Sequence, residues 1–207
     1  NRPTFTITHV DATCVIGAAN CSISNLQFVS NVADHKIMLE IEAAAVGTTV
    51  KDCLFRDTSS AAECLIFIDV ATDADRLLIQ DNHFSGAVGG EATEAMLFGG
   101  GSDNTIIRHN LFIGDWKTNG AIGMASAAST GLQIYGNVIS NADASAGFAI
   151  KMNASSTGII AYNAIGGSKN GVEGINTVTA MFVIENYMTD VVAAAGIISN
   201  TVVSWSD

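Results

Sequence analysis

Carboxylates are the side chains whose spacing first suggests chemistry. Glu42 and Asp69 are 27 residues apart, with Glu40 beside the first. A chain wound with that period would set the two carboxyl groups on neighbouring turns, about 4.8 Å apart. Glycoside hydrolysis needs two carboxylates about 5 to 9 Å apart, one to protonate the leaving oxygen and one to attack or to activate water. Two solvated surface acids fit the same spacing. Lys151 and Glu173, 22 residues apart, form a second pair. They suit either a salt bridge or a base with a charge stabiliser, as polysaccharide lysis requires. Asp69, Asp73 and Asp75 form a short acidic cluster, and Glu91 with Glu94 a second. Calcium takes several such oxygens, although neither cluster follows a twelve-residue EF-hand loop. Calcium is the one cofactor these residues suggest, and no other is expected.

Trp116 and Tyr135 offer rings that pack on apolar sugar faces, and they suit a protein interface equally well. His83 and His109 flank similar asparagines but at offsets that differ by one, so they do not stack. With His9 and His35 far away in sequence, the histidines make no metal pattern. Cys14, Cys21, Cys53 and Cys64 contain no CxxC spacing. Inward-facing thiols fit them, and Cys14 with Cys21 also fits a pair across a turn. Phosphate-binding, dinucleotide-binding and nucleophile-elbow motifs are absent.

A repeat would position these residues. Its best copies are Ile79-Gln-Asp-Asn82-His-Phe84, Ile107-Arg-His-Asn110-Leu-Phe112 and Ile134-Tyr-Gly-Asn137-Val-Ile139. Ile160 to Ile165 and Val183 to Met188 continue it, and Ile23 to Phe28 and Val50 to Phe55 precede it without the asparagine. The fourth positions are 26, 53, 82, 110, 137, 163 and 186, spaced by 27, 29, 28, 27, 26 and 23. Periods in this range mark a solenoid. A second phrase lies between the copies, as in Leu39-Glu-Ile41, Ile66-Phe-Ile68 and Phe148-Ala-Ile150, and alternates as short strands do. Glycine-rich runs such as 99–104 and 166–171 argue for turns. No sustained helical stripe or leucine-rich repeat is present.

The recurring asparagines have a geometric reading. An amide both donates and accepts, so Asn82, Asn110, Asn137, Asn163 and Asn186, stacked at a bend, form a structural ladder along the axis. Phe84, Phe112, Ile139, Ile165 and Met188, two positions on, then stack in the core. Each rung needs its neighbours to cover its apolar face.

These phrases, over roughly residues 23 to 188, resemble the right-handed parallel β-helices of the pectate-lyase-like superfamily. The resemblance implies an all-β, right-handed, single-stranded parallel β-helix of about seven rungs. The superfamily holds polysaccharide lyases, polygalacturonases, uronan epimerases and viral tailspikes, with substrate clefts on an outward sheet face. The Asn-Thr-Asp, Asp-Asp, Gly-His-Gly and Arg-Ile-Lys signatures of its polygalacturonases are missing. Its tailspikes are commonly trimers.

Composition limits the partners. The chain has 207 residues, 48% hydrophobic and only 14% charged, with a formal charge of -11. It is too apolar for a disordered chain. Nucleic acid is disfavoured by the missing basic patch, and no stretch is apolar and long enough to span a bilayer. Low charge and positive mean hydropathy suggest outward apolar side chains, and hence a homo-oligomer such as a trimer. Residues 1–20 are expected as an N-terminal cap or junction, 21–190 as the β-helix and 191–207 as a last rung or junction to flanking parts of a longer chain. The favoured class is a structural or adhesive β-helix of a virion tail or cell surface that presents or binds glycan. A polysaccharide-degrading enzyme working in an outer groove and a non-catalytic carbohydrate-binding module are the alternatives. All three place the chain outside the cell or on a virion.

Overall fold

The computed structural model describes residues 2–90, 92–117, 119–124, 126–143, 148–167, 173–176 and 181–189. The side chains of Glu173 and Thr189 lie outside the described set, as does the expected last rung at 191–207.

The repeat folds as an all-β parallel solenoid. Every third strand pairs in parallel, giving three stacked sheets. Sheet A has eight strands, from Thr4–Ile7 to Tyr187–Thr189. Sheet B has seven, from Cys14–Ile16 to Glu173–Asn176, and sheet C seven, from Ser22–Ser24 to Met181–Ile184. Residues 4–7 and 14–16, within the segment read as a cap, supply the first strands of sheets A and B.

The interior is built from columns. Phe28, Phe55, Phe84 and Phe112 stack face to face with ring centroids 4.8, 5.0 and 4.6 Å apart. Phe5 begins the column at 5.5 Å from Phe28, and Ile139, Ile165 and Met188 extend it by register. Sheet C contributes Val50, Ile79, Ile107, Ile134, Ile160 and Val183. On five strands of sheet B two consecutive apolar residues are buried: Met38-Leu39, Phe67-Ile68, Ala95-Met96, Ala121-Ile122 and Ala149-Ile150. Strict alternation cannot do this, so the strands kink there and the residues on either side of the pair face outward.

Each corner has its own polar device. Where sheet C turns into sheet A, one residue per rung adopts the left-handed conformation: Asn25, Asp52, Asp81, His109, Gly136, Tyr162 and Glu185, with φ from 49° to 64°. The next residue is the asparagine position. Asn82, Asn110, Asn137 and Asn163 each donate from Nδ2 to the Oδ1 of the asparagine one rung on, at 2.8 to 3.0 Å. Each also donates to a carbonyl of the preceding rung, at 2.9 to 3.1 Å. Their backbone N–H groups bond to the same Oδ1 atoms at 2.9 to 3.0 Å. Cys53 N–H, at the start of the column, bonds to Asn82 Oδ1 at 2.9 Å.

Serines fill the corner between sheets B and C. Ser102, Ser129 and Ser156 are fully buried, and the N–H of each of the first two donates to the next hydroxyl, at 2.9 and 3.3 Å. Between sheets A and B, buried Asp57, Asp115 and Asn141 accept from loop N–H groups. Asp57 receives Cys64 and Ala87, Asp115 receives Gly89, and Asn141 receives Trp116. Buried backbone donors need such partners wherever the chain leaves a ladder.

Candidate functional site

The kink in sheet B sets two outward rows. One runs Ile37, Ile66, Glu94, Gly120 and Phe148, with Glu173 in register beyond. The other runs Val15, Glu40, Asp69, Leu97, Gly123, Lys151 and Asn176. Charged groups gather where the rows adjoin. Burial pushes the half-buried Asp69 carboxyl above the usual carboxylate range, and the neighbouring Glu40 and Glu94 push it the same way. A hydrogen bond from the Val70 backbone opposes them.

From Glu94 the row continues through direct contacts. Asn119 Nδ2 donates to Glu94 Oε1 at 2.7 Å, and Lys151 Nζ donates to Asn119 Oδ1 at 3.0 Å. The Lys151 ammonium also lies 4.7 Å from the Phe148 ring centroid, which holds it by cation–π attraction. Glycine at position 123 leaves room for Asn119 and Glu94 to meet over it. A Cβ at Gly123 would lie 2.6 Å from Asn119 Cβ and 3.3 Å from Glu94 Cγ, so a side chain there would displace the contact between them. The face therefore offers carboxylates at Glu40 and Asp69, an amide at Asn119 and an ammonium at Lys151, over successive rungs about 4.8 Å apart, while Glu94 is buried and serves as the acceptor that holds Asn119.

The structure redistributes the residues singled out from sequence. Asp69 stacks on Glu40 and not on Glu42. Glu42 follows the end of its strand, with its carboxylate over Gly17 on the preceding rung. The reason is a loop of unequal length. Ser30 aligns with Asp57 and His35 with Cys64, so the connection holds four residues in one rung and six in the next. Those two residues shift the alignment from 27 to 29.

Lys151 is on the outer face, with Asn176 as its register partner, whereas Glu173 aligns with Phe148. Asp73 and Asp75 sit in the turn after the Asp69 strand, and Asp75 accepts from Asp103 N–H at 2.7 Å. Among the described residues no three His, Cys, Asp or Glu side chains converge as metal ligands. Glu91 lies outside the described residues.

Trp116 is fully buried, edge-on to Phe67 at 5.2 Å, and offers no ring face to a sugar. Tyr135 is on the outer face of sheet C, in register with Arg108. His35 is buried with Nε2 2.6 Å from Ala12 O, and burial holds its pKa below the ordinary value. All four cysteines are unpaired; Cys53 and Cys64 are buried, and Cys14 and Cys21 half-buried.

Sequence reasoning did not single out Glu40 or Asn119 as partners in this arrangement. Glu40 was visible as an outward acid, but its neighbour depended on loop length. Asn119 lies in no repeat phrase, and only the side-chain contacts reveal it.

No protein-family model, curated protein or solved structure matches the chain. The architecture itself, three stacked parallel sheets, is consistent with the pectate-lyase-like solenoids that the repeat resembles. No helix among the described residues is long and apolar enough to cross a membrane.

Proposed function

We propose that the chain is an adhesive β-solenoid that binds a glycan across the outer face of sheet B. One observation carries this reading: Glu40 and Asp69 on adjacent rungs, followed along the same face by Asn119, which the buried Glu94 holds, and Lys151. Saccharide hydroxyls donate to carboxylates and accept from an ammonium, so a sugar chain laid along the solenoid axis finds a partner on rung after rung. Half-buried Leu97 and Phe148 border the row with apolar surface for the sugar faces.

A specific observation favours a second reading, glycoside hydrolysis. Burial, with Glu40 and Glu94 adding to it, pushes the Asp69 carboxyl above the usual carboxylate range, the direction in which a general acid is shifted. Glu40 is one rung away, about 4.8 Å along the axis, close to the roughly 5 Å that separates the carboxyl groups of retaining glycosidases.

Titration calorimetry with neutral, amino-sugar and uronate oligosaccharides, paired with a reducing-end assay, separates the two. Binding without release of reducing ends, weakened by Lys151→Ala, supports the adhesive reading. Release of reducing ends that disappears in Asp69→Asn replaces it with the hydrolytic one. If no class binds at millimolar concentration, both fail.

Assembly and location belong to the same proposal. The outer face of sheet A carries Ile113, Val138 and Tyr187, which are 42%, 48% and 67% exposed. A second and third copy covering this face would remove apolar surface from water, as expected of a trimeric surface or virion module. Light scattering of the purified chain tests it; a monomer at all concentrations refutes it.

A further inference from the structure

On the outer face of sheet B a lysine is bonded to the oxygen of an asparagine amide, and a buried carboxylate holds the nitrogen of the same amide. Lys151 Nζ donates to Asn119 Oδ1 at 3.0 Å, and Asn119 Nδ2 donates to Glu94 Oε1 at 2.7 Å. An ammonium only donates and an ionised carboxylate only accepts, so the amide can face only this way round. Its Cγ, bonded to both Oδ1 and Nδ2, therefore lies next to the lysine nitrogen. An amide carbon is an electrophile, and a lysine amine is a nucleophile once neutral. Lys36 and Lys51 face surface carboxylates instead.

Three consecutive rungs supply the three groups. Glu94 opens the strand Glu94–Phe98, Asn119 directly precedes Gly120–Met124, and Lys151 is in Phe148–Met152. Glu94 aligns with Gly120, and Gly123 with Lys151. Gly123 leaves the middle strand bare where the amide crosses it, since a Cβ there would lie 2.6 Å from Asn119 Cβ. Glu94 is only 3% exposed. The Phe148 ring, with its centroid 4.7 Å from Nζ, backs the half-buried lysine and holds it in place. Groups kept in contact in this way react without the entropic cost of meeting.

We propose that Lys151 and Asn119 join in an intramolecular amide crosslink, with Glu94 as the proton carrier. An ammonium has no lone pair, so Lys151 first gives one proton to water. Its nitrogen then adds to Asn119 Cγ, and the carbonyl electrons move to Oδ1. Nζ and Nδ2 are now on one carbon, so the carboxylate that already holds Nδ2 takes a proton from Nζ and delivers it to Nδ2. The electrons return from Oδ1, the Cγ–Nδ2 bond breaks and ammonia leaves, to be protonated in water to ammonium. One C–N bond forms, one breaks, and nothing is oxidised or reduced. The new bond ties two adjacent rungs through residues 32 positions apart, and it constrains the unfolded chain as other crosslinks do. This goes beyond the glycan reading and does not rest on it: closure replaces the Lys151 ammonium with an amide that still carries one N–H.

The test is the intact mass of the purified full chain, before and after incubation at about pH 9 to favour the neutral amine. Closure should lower the mass by one ammonia, about 17 Da, and proteolysis should yield one branched peptide joining Lys151 to Asn119. Lys151→Ala and Asn119→Ala should each keep the full mass. Glu94→Gln keeps the shape but cannot carry the proton, and should slow closure about a hundredfold or more. Circular dichroism melts establish that each variant is folded. Lys151→Arg, which keeps the charge but is no nucleophile, serves if Lys151→Ala does not fold. The full sequence mass after incubation overturns the proposal. Loss of ammonia from Lys151→Ala also overturns it, because the Gly120 backbone nitrogen is then the attacking group. Conversion of Asn119 to aspartate does the same, because water has then taken the place of the lysine. Closure of Glu94→Gln at the wild-type rate overturns the role of Glu94. No sugar enters these measurements, so their failure is distinct from a failure of the glycan reading.

Discussion

Removing one amide from the middle of the asparagine column should destabilise the whole solenoid, and its cost can be worked from contacts. Asn137 Oδ1 accepts from the backbone N–H and from the Nδ2 of Asn110, both at 3.0 Å. Its Nδ2 donates to Ile107 O at 3.1 Å and to Asn163 Oδ1 at 2.9 Å. Asn137→Ala deletes all four bonds. It leaves the Asn110 backbone N–H, one Asn110 amide hydrogen and the Ile107 carbonyl short of a partner at a site with no water access, because Asn137 is fully buried. Each buried orphan costs about 1–3 kcal/mol, and partial relaxation brings the expected total to roughly 3–6 kcal/mol. Asn82→Ala is the internal control. Asn82 Oδ1 accepts from Cys53 N–H, and Cys53 has no amide to add a second bond. That variant should therefore cost about 1 kcal/mol less. Urea unfolding followed by circular dichroism gives both values from the midpoint shifts at unchanged slope. The reasoning is refuted if Asn137→Ala costs less than about 1 kcal/mol, the range of a surface change, or if Asn82→Ala costs more than Asn137→Ala.

Three further outcomes are expected. Burial pushes the Asp57 carboxyl up to about 7, with Glu63 adding to it, against an ordinary 3.8. The folded state therefore binds this proton more tightly than the unfolded state. Asp57 should make stability fall between about pH 4 and pH 7, by roughly 4 kcal/mol at most. Asp57→Asn should flatten that part of a pH series of urea midpoints, whatever it does to the baseline; an unchanged slope refutes the assignment. Tyr162 holds φ 57° while 62% exposed, so Tyr162→Asn should raise stability by about 0.5–1 kcal/mol by easing the left-handed conformation. A lower thermal midpoint would refute this. Phe84→Ala, in the middle of the phenylalanine column, should cost about 3–5 kcal/mol in urea unfolding. A loss below about 1 kcal/mol would mean that the column closes around the gap.

Much of the scaffold was legible because a solenoid writes its geometry locally. Each rung must bury the same face, so Phe28, Phe55, Phe84 and Phe112 recur at nearly constant spacing and sit in one column. The strand phrases and their parallel stacking could be read from that recurrence alone. The left-handed corner before each ladder position could not, because Asn25, Asp52, Asp81, His109, Gly136, Tyr162 and Glu185 are of six different residue types. That conformation is imposed by the turn between two sheets, and the stacked rungs hold even a tyrosine and a glutamate in it.

The candidate site divides along the same line. The sequence by itself determined that Glu40, Asp69 and Lys151 face outward on sheet B, because each directly follows an inward apolar residue of its strand, at Leu39, Ile68 and Ile150. Only the tertiary structure decided which of them meet. A loop two residues longer put Glu40 rather than Glu42 beside Asp69. A buried corner took Trp116 out of reach of any ligand. Contacts between residues 25 to 32 positions apart joined Glu94 to Asn119 and Asn119 to Lys151. Partnership across rungs depends on the summed length of every intervening turn, and an error of one or two residues there moves a side chain to a different neighbour.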